Sequence, residues 1–329
     1  FDFWIVFVYH WGEASSLDDH LNLSGSHKII GFHLNDTKAR GPLLSELKAF
    51  DKSRSIFQME GSSWYFSDDI LRRNSPSRKD GISEEREKGY RRKTCFFIDE
   101  AGNSLKLPKL TVATAHVFFH RFFARQSFKQ HDRFDVAAAC LHLAGKVEES
   151  PKKLEVVAAT CHAVRHRGAK TLEKESEESK IAKEKILTCE RILLHTMGFD
   201  MCIEHPYKYL IEVCKKLKNK GIIGGNQDDA GGRQFAQTAL NFVNDSFRTS
   251  LCLRHPPPLV AAGAVFLAAL FAGLRPEGRL GAGWLRLLAP VESGFDQLAF
   301  EHKLYDICRQ VMELYQGAAA GGGGGGGAA

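Results

Sequence analysis

A repeat within the sequence constrains this chain more than any other feature. Residues 136–144 read VAAACLHLA, and residues 260–268, at an offset of 124, read VAAGAVFLA. The predicted helix before each of these segments also matches at the same offset, at four positions. The pairs are Thr114 with Thr238, Ala115 with Ala239, Phe118 with Phe242, and Phe123 with Phe247. Two successive helices that match in one register indicate two copies of one helical domain, each of ordinary size for a domain.

Helical periodicity extends from residue 84 to residue 316, and signals for strands are scarce. Pro108 and Pro206 stand where helices are expected to begin, a position at which the missing N–H has no cost. Asp132 is a suitable N-cap. We therefore predict an all-α fold with helices at about 84–99, 108–125, 132–147, 151–166, 176–197, 206–219, 232–249, 256–272 and 298–316.

The segments outside the repeat differ in composition and suggest the domain limits. Residues 1–61 show no sustained periodicity and are expected to be a poorly ordered extension, followed at 62–83 by an entry segment or short helix. A glycine run near the end predicts a disordered tail at 317–329. The two copies then occupy 84–202 and 203–316. Because residues 275–293 are rich in Gly and Arg, the fourth helix of the second copy is expected to be irregular, with Trp284–Leu288 as its remnant.

Several classes of protein are disfavoured by the sequence. The apolar start of the chain is shorter than the ~20 residues that a membrane span needs. None of the eight cysteines forms a C-x-x-C pair, so we expect no zinc ribbon and a reducing intracellular compartment. No nucleotide-binding or hydrolase motif occurs, so we predict no catalytic residues and no cofactor. His116 and His120 have the i, i+4 spacing of a metal site, but their helix is apolar, which favours a packed pair and no metal.

Basic residues are concentrated just before and within the first predicted helix. Nine occur between Arg72 and Lys93, against four acidic residues. Such a cluster can meet phosphates or an acidic partner, and the alternative is a solvated, flexible segment. The candidate basic patch consists of Arg72, Arg73, Arg78, Lys79, Arg91, Arg92 and Lys93.

One carboxylate interrupts an apolar stripe on the helix predicted at 176–197. Glu190 lies at the centre of a stripe otherwise formed by Ile186, Leu187, Leu193, Leu194 and Met197. An ionised carboxylate in that position is costly unless a cation or several hydrogen-bond donors meet it. The helix therefore predicts a specific partner for Glu190, either within the fold or on another protein.

A lysine near the end of the helix at 132–147 is present in only one copy of the repeat. Lys146 lies off the apolar stripe of its helix, and Leu270 occupies the equivalent position of the second copy. The alternative for Lys146 is an exposed base that stabilises the helix C-terminus. Because the charge belongs to one copy, a functional site explains it better than the fold does.

Six blocks of this sequence resemble cyclins of the transcription-associated K/T type, with the L type as a more distant possibility. They are WYFSDDILRRNSPSRKDGI (64–82), HRFFARQSF (120–128), LAGKVEES (143–150), ERILLHTMGFD (190–200), EHPYKYL (204–210) and FVNDSF (242–247). The resemblance implies two tandem cyclin boxes of five helices each. It also implies that Lys146 and Glu190 are the pair that anchors a kinase, and that Glu149 and Phe199 face that kinase.

The function implied by the resemblance is that of a non-catalytic regulatory subunit. Such a subunit forms a heterodimer with a transcriptional cyclin-dependent kinase, which phosphorylates the C-terminal domain of RNA polymerase II and promotes elongation in the nucleus. The polymerase tail would be reached through the kinase. The alternatives are a factor of the transcription factor IIB type that binds DNA directly, or a helical scaffold that binds no kinase.

Overall fold

The computed structural model describes residues 64–167, 172–173, 176–223, 230–274, 284–289 and 296–319. By contacts the chain divides into residues 1–62 and 63–329, and the description that follows concerns the second unit only. The extension predicted at 1–61 lies outside the described residues. Within them the regular elements are helices and no strand occurs, so the predicted all-α class is confirmed.

Two short helices precede the repeats, and each repeat then contributes five helices in the described part of the chain. The short helices are α1 (Asp68–Arg73) and α2 (Pro76–Lys79). The first repeat contains α3 (Glu84–Ser104), α4 (Lys109–Arg125), α5 (Arg133–Val147), α6 (Leu154–Arg165) and α7 (Glu177–Met197). The second repeat contains α8 (Tyr207–Asn219), α9 (Ala230–Ser246), α10 (Pro257–Phe271), α11 (Leu285–Leu288) and α12 (Gln297–Ala319).

The predicted helix bounds agree with these to within a few residues, except at the end of α3. That helix continues five residues beyond the predicted end, through Gly102. A Cβ atom at Gly102 would lie 2.6 Å from Cγ2 of Val112, so glycine allows α3 and α4 to approach closely. Gly102 is therefore a packing residue.

Side-chain caps fix where several helices begin. Ser83, Asp132 and Ser176 each accept hydrogen bonds from backbone N–H groups in the first turn of α3, α5 and α7. Asp132 accepts from both Phe134 and Asp135, at 2.9 and 3.1 Å, which confirms it as the predicted N-cap. Each cap satisfies donors that the helix itself leaves unpaired.

The repeated segment forms the central helix of each repeat. In the first repeat α5 packs against α3, α4, α6 and α7, and in the second α10 packs against α8, α9, α11 and α12. Residues 136–145 and 259–269 are buried. Alanine and glycine at these positions let the surrounding helices approach the central one from several sides, which is why the repeat is most visible here.

The second repeat is shortened at its fourth helix, as the sequence predicted. Helix α11 has four residues, and Trp284 just before it is 2% exposed and stacks on Phe266 at a ring distance of 5.9 Å. The following helix, α12, extends to Ala319. The first three residues of the predicted tail are therefore helical, and residues 320–329 lie outside the described residues.

The entry segment is folded and buried against both repeats. Trp64 is 5% exposed and donates from Nε1 to Oδ2 of Asp200 at 2.7 Å, after α7. The backbone N–H of Phe66 donates to the carbonyl of Leu253 at 2.8 Å, in the second repeat. The guanidinium of Arg125 lies 3.7 Å from the centre of the Trp64 ring. The alternative of a solvated, flexible segment is therefore wrong from Trp64 onwards.

The two histidines at metal-site spacing are packed side chains. His116 Nε2 lies 3.0 Å from Oδ1 of Asp99, and His120 Nε2 donates to the carbonyl of Phe247 at 2.9 Å. His120 is fully buried, and burial holds its pKa well below the usual value. No group of metal-ligating side chains occurs among the described residues, and none of their helices is long and apolar enough to cross a bilayer.

Candidate functional site

The two charges singled out in the sequence meet in an ion pair. Lys146, in the last turn of α5, donates from Nζ to both carboxylate oxygens of Glu190 on α7, at 2.8 and 2.9 Å. The side chain of Glu190 is 9% exposed and that of Lys146 is 33% exposed. The partner that was predicted for Glu190 from its position in the apolar stripe thus lies within the fold.

This ion pair can also serve a second protein. An ammonium group has three N–H donors, and Glu190 occupies two of them. Since a third of the Lys146 side chain faces solvent, its remaining donor is available to an acceptor outside the chain. The carboxylate holds the lysine in place, which lowers the entropy lost when a partner binds it.

A buried histidine lies one helical turn before this lysine. His142 is 7% exposed, and its Nδ1 has no hydrogen-bond partner within the described structure. Burial lowers the pKa of His142, and the positive charge of Lys146 lowers it further. The imidazole is therefore neutral near pH 7 and does not compete with Lys146 for Glu190.

The turn that follows α5 presents Glu149 to solvent. Glu149 has φ +54°, a left-handed conformation that is unusual for a residue with a Cβ atom. Its neighbours hold it there, because the N–H of Ser150 donates to the carbonyl of Gly145 at 2.8 Å and Thr111 bonds Ser150 at 2.9 Å. This is the hydrogen-bond pattern of a Schellman motif, which usually takes glycine at the left-handed position.

A hydroxyl on α4 connects this turn to the second repeat. Thr114 donates to Oε1 of Glu148 at 2.7 Å, and its oxygen lies 2.8 Å from Nε2 of His205. Because the hydroxyl proton is given to the carboxylate, Nε2 of His205 is the donor to Thr114. Burial lowers the pKa of His205 to about 4, so the ring is neutral. Sequence reasoning missed this role of Thr114, which it used only as a match in the repeat.

The turn that follows α7 presents Phe199 in the same way. Gly198 ends the helix with φ +61°, and Phe199 also has φ +61°. The N–H of Phe199 donates to the carbonyl of Leu194 at 3.0 Å, and its side chain is 56% exposed. An exposed phenylalanine held in a left-handed conformation contributes little to the fold, which favours a role in binding.

The four predicted partner-facing residues thus share one structural context. Lys146 and Glu190 form a contact between α5 and α7, and Glu149 and Phe199 occupy the turns after these two helices. In the described part of the chain, the other non-glycine residue with positive φ is Lys106, which lies outside this region. The equivalent position to Lys146 in α10 is the uncharged Leu270, so the pair is confined to the first repeat.

The predicted basic residues do not form a single surface patch. The side chains of Arg78 and Arg91 are 13% and 7% exposed, and both bind the buried carboxylate of Glu87. These two are a correction to the sequence analysis, since they belong to internal ion pairs. The sequence could not show this because Glu87 was counted only as one charge among several. Arg73, Lys79 and Lys93 do lie on the surface.

Comparison with known proteins places the fold in one family. The model of the cyclin N-terminal domain matches residues 64–202, a range that contains Lys146, Glu149, Glu190 and Phe199. Putative cyclin-T1-1 of Arabidopsis thaliana is 34% identical over 256 residues, and the match covers 78% of this chain and 95% of that relative. The chain belongs to the cyclin family.

Other relatives of this cyclin are longer. Cyclin-T1-3 of Oryza sativa subsp. japonica is 40% identical over 260 residues, which cover 78% of this chain and 49% of the relative. The chain therefore spans about half the length of such relatives. Among solved structures, a chain of the yeast RNA Pol II CTD kinase CTDK-1 complex shares the fold, with a TM-score of 0.55 and 18% identity, over 77% of this cyclin and 83% of that chain.

Proposed function

We propose that this cyclin is a non-catalytic subunit that binds and activates a cyclin-dependent kinase acting on the C-terminal domain of RNA polymerase II. The observation that carries the proposal is the Lys146–Glu190 pair, whose lysine side chain is one third exposed and which, by the resemblance to the family, anchors the kinase. Membership among T-type relatives supports a transcriptional partner, and the shared fold with a chain of the CTDK-1 complex is consistent with it. Promotion of elongation and a nuclear location belong to the same proposal.

Activation on this proposal is a shift between two states of the kinase. The kinase alone populates a state in which its regulatory helix is misplaced, and the cyclin binds the active placement more tightly. The shift can be no larger than the difference between the two affinities. Rigid presentation serves this purpose, and the ion pair and the two Schellman-type turns hold all four partner-facing residues in defined positions.

Two other functions are less well supported by the site. A DNA-binding factor requires a basic surface on the repeats, yet Arg78 and Arg91 are buried against Glu87. A helical scaffold without a kinase would leave the exposed, left-handed Phe199 unexplained. Both alternatives predict that changes at Lys146 affect the fold alone.

Exchange of the two charges separates the fold from the binding function. The variant Lys146→Glu/Glu190→Lys can re-form the internal ion pair but presents the opposite charge to a partner. We expect it to retain its helical circular dichroism signal and to lose at least about tenfold in kinase affinity, the cost of one charge-assisted hydrogen bond. Binding to a transcriptional cyclin-dependent kinase and phosphorylation of polymerase tail peptides are the measurements.

The matched control is an exposed ion pair on α12. Arg309 and Glu313 lie 3.1 Å apart in the second repeat, and Arg309 also binds Asp306, so their exchange should lower the stability of α12 slightly and leave kinase activation unchanged. If the exchanged Lys146–Glu190 variant folds and activates the kinase as well as the control does, the proposed interface is wrong. Single changes Lys146→Ala and Glu190→Ala should each weaken binding, with the first also destabilising the fold because it leaves the buried Glu190 carboxylate without its cation.

A further inference from the structure

A second charged site lies where the entry segment meets both repeats. A small, open cavity is bounded by α1, α2, the first half of α3 and the residues just before α10. Its lining residues are mostly polar, and five of them are cationic, namely Arg72, Arg78, Lys88, Arg91 and Arg254. Four belong to the basic cluster of the sequence between Arg72 and Lys93, and the fold adds Arg254 to them.

The carboxylates around this cavity do not balance its positive charge. Glu87 is shared by two guanidiniums, those of Arg78 and Arg91, and Glu84 is shared by Lys88 and Arg72. Asp68, beside the cavity, binds Arg254 and lies 3.5 Å from Arg72. Five cations therefore face three carboxylates, which leaves an excess of two positive charges in a partly buried place.

One of these cations carries a donor that the fold leaves unsatisfied. The side chain of Arg254 is 7% exposed, and its Nε has no hydrogen-bond acceptor within the described structure. The Nε of Arg72 is likewise buried without a hydrogen bond. Burial lowers the pKa of Arg254, although Asp68 opposes that shift. A buried donor without an acceptor is costly, and an anion in the cavity would remove that cost.

The chemistry of the cavity fits a single phosphate monoester. A phosphoserine or phosphothreonine carries about −1.5 to −2 charges and three acceptor oxygens, which match the excess charge and the unsatisfied Nε donors of Arg72 and Arg254. Leu71 is the one apolar residue in the lining, so the cavity offers no platform for a nucleotide base.

We infer that this cavity binds one phosphorylated serine or threonine of a partner peptide. The exposed side chains of Lys88 and Arg72, 57% and 38% accessible, form the entrance, and Arg254 and Arg91 form the base. The hydroxyl of Ser250 also lines the cavity and can donate to a phosphate oxygen. This inference does not depend on the kinase-binding proposal, because the site shares none of its residues.

The test compares matched peptides on the intact chain. A phosphoserine peptide, its unphosphorylated form, inorganic phosphate and single-stranded RNA are titrated by calorimetry at constant ionic strength. We expect saturable one-to-one binding of the phosphopeptide and at least tenfold weaker binding of the unphosphorylated form. Absence of phosphopeptide binding at millimolar concentration would overturn the inference, as would binding of inorganic phosphate or of RNA with an affinity equal to that of the phosphopeptide.

Variants on one helix make the test specific. Lys88→Gln removes a charge at the entrance and should weaken phosphopeptide binding about tenfold, whereas Lys93→Gln removes the same charge from the exposed part of α3 outside the cavity and should leave it unchanged. Arg254→Gln should weaken binding at least as much as Lys88→Gln does. If Arg254→Gln fails to fold, phosphopeptide binding by Lys88→Gln alone tests the inference. Equal weakening by Lys88→Gln and Lys93→Gln would show a diffuse basic surface and contradict the inference.

Discussion

At the scale of single residues, the backbone conformation of Phe199 separates stability from function. A residue with a Cβ atom is strained at φ +61°, and its exposed ring buries little, so glycine should fit the fold at least as well. We expect Phe199→Gly to leave the free energy of unfolding unchanged or raise it by up to about 1 kcal/mol, while kinase affinity falls. Urea denaturation and a kinase-binding titration measure the two effects.

The control for this prediction has the same backbone strain in another place. Lys106 is exposed and has φ +53°, but it lies outside the proposed interface. Lys106→Gly should stabilise the fold to the same extent and leave kinase affinity unchanged. A loss of affinity in both variants would mean that rigidity of the whole repeat, and not the Phe199 side chain, governs binding.

Glu87 is the residue on which the buried arginines depend. Its carboxylate lies 2.7 Å from Nη2 of Arg91 and 3.2 Å from Nη2 of Arg78, and all three side chains are largely buried. Glu87→Gln leaves two guanidiniums without their counter-charge and should cost about 3–5 kcal/mol of unfolding free energy. Glu85→Gln, on the exposed side of the same helix, should cost less than about 0.5 kcal/mol. Similar values for the two variants in urea denaturation would contradict this account.

At the level of residues, the sequence-based prediction was correct where a side chain did not fit the apolar pattern of its own helix. Glu190 in an apolar stripe predicted a cation, and the structure supplies Lys146. It was incomplete where a role depends on distant contacts. Nothing local distinguishes Arg78 and Arg91, which are buried, from Arg73, which is 82% exposed. The left-handed backbone at Glu149 and Phe199 could not be predicted either, because turns at helix ends usually have glycine at the left-handed position.

At the scale of elements, helix existence was predictable and helix contacts were not. The period of apolar residues located both central helices, but it could not show that Gly263 on α10 meets Ile307 on α12. A Cβ atom at Gly263 would lie 2.5 Å from Cγ2 of Ile307, which is 1% exposed and has no room to move. The equivalent position in the first repeat is Ala139, so the two central helices are packed differently.

This contact predicts that alanine is worse than glycine inside a helix. Alanine has the better helix propensity by about 1 kcal/mol, but the overlap with Ile307 should cost about 1–3 kcal/mol, so we expect Gly263→Ala to be neutral or destabilising. The double variant Gly263→Ala/Ile307→Val, which removes a methyl group from the crowded side chain, should recover part of any loss. If Gly263→Ala raises the melting temperature, the close approach of α10 and α12 is not as described.

At the scale of the whole molecule, neutral histidines join the two repeats and make stability depend on pH. His205 bonds Thr114 across the junction, and its pKa is lowered from 6.5 to about 4 by burial. Between those values the unfolded chain binds the proton and the folded chain does not, so the free energy of unfolding falls as the pH falls from 6.5 to 4. The contribution of His205 to this loss is about 3 kcal/mol in total.

A variant isolates this contribution. His205→Asn keeps a donor for Thr114 but does not titrate, so urea denaturation should show a loss between pH 6.5 and pH 4.5 that is smaller than in the parent chain by about 1.4 kcal/mol per pH unit. The lowered pKa of His120 leaves a residual pH dependence of the same sign in both proteins. Parallel curves for the two proteins would exclude His205 as a source of acid sensitivity.

The link through Phe66 and Leu253 also sets an order of events during synthesis. The N–H of Phe66 and the carbonyl that it binds are separated by the whole first repeat and the first two helices of the second, and Asp68 binds Arg254 in the same place. At about 5–20 residues per second, the ribosome delivers Leu253 some ten to forty seconds after Phe66. The segment around Phe66 is thus translated early but makes its contact with the second repeat late. In that interval Phe66 and Asp68 lack their partners in the second repeat and remain accessible to chaperones and proteases, even after Trp64 has packed against the first repeat.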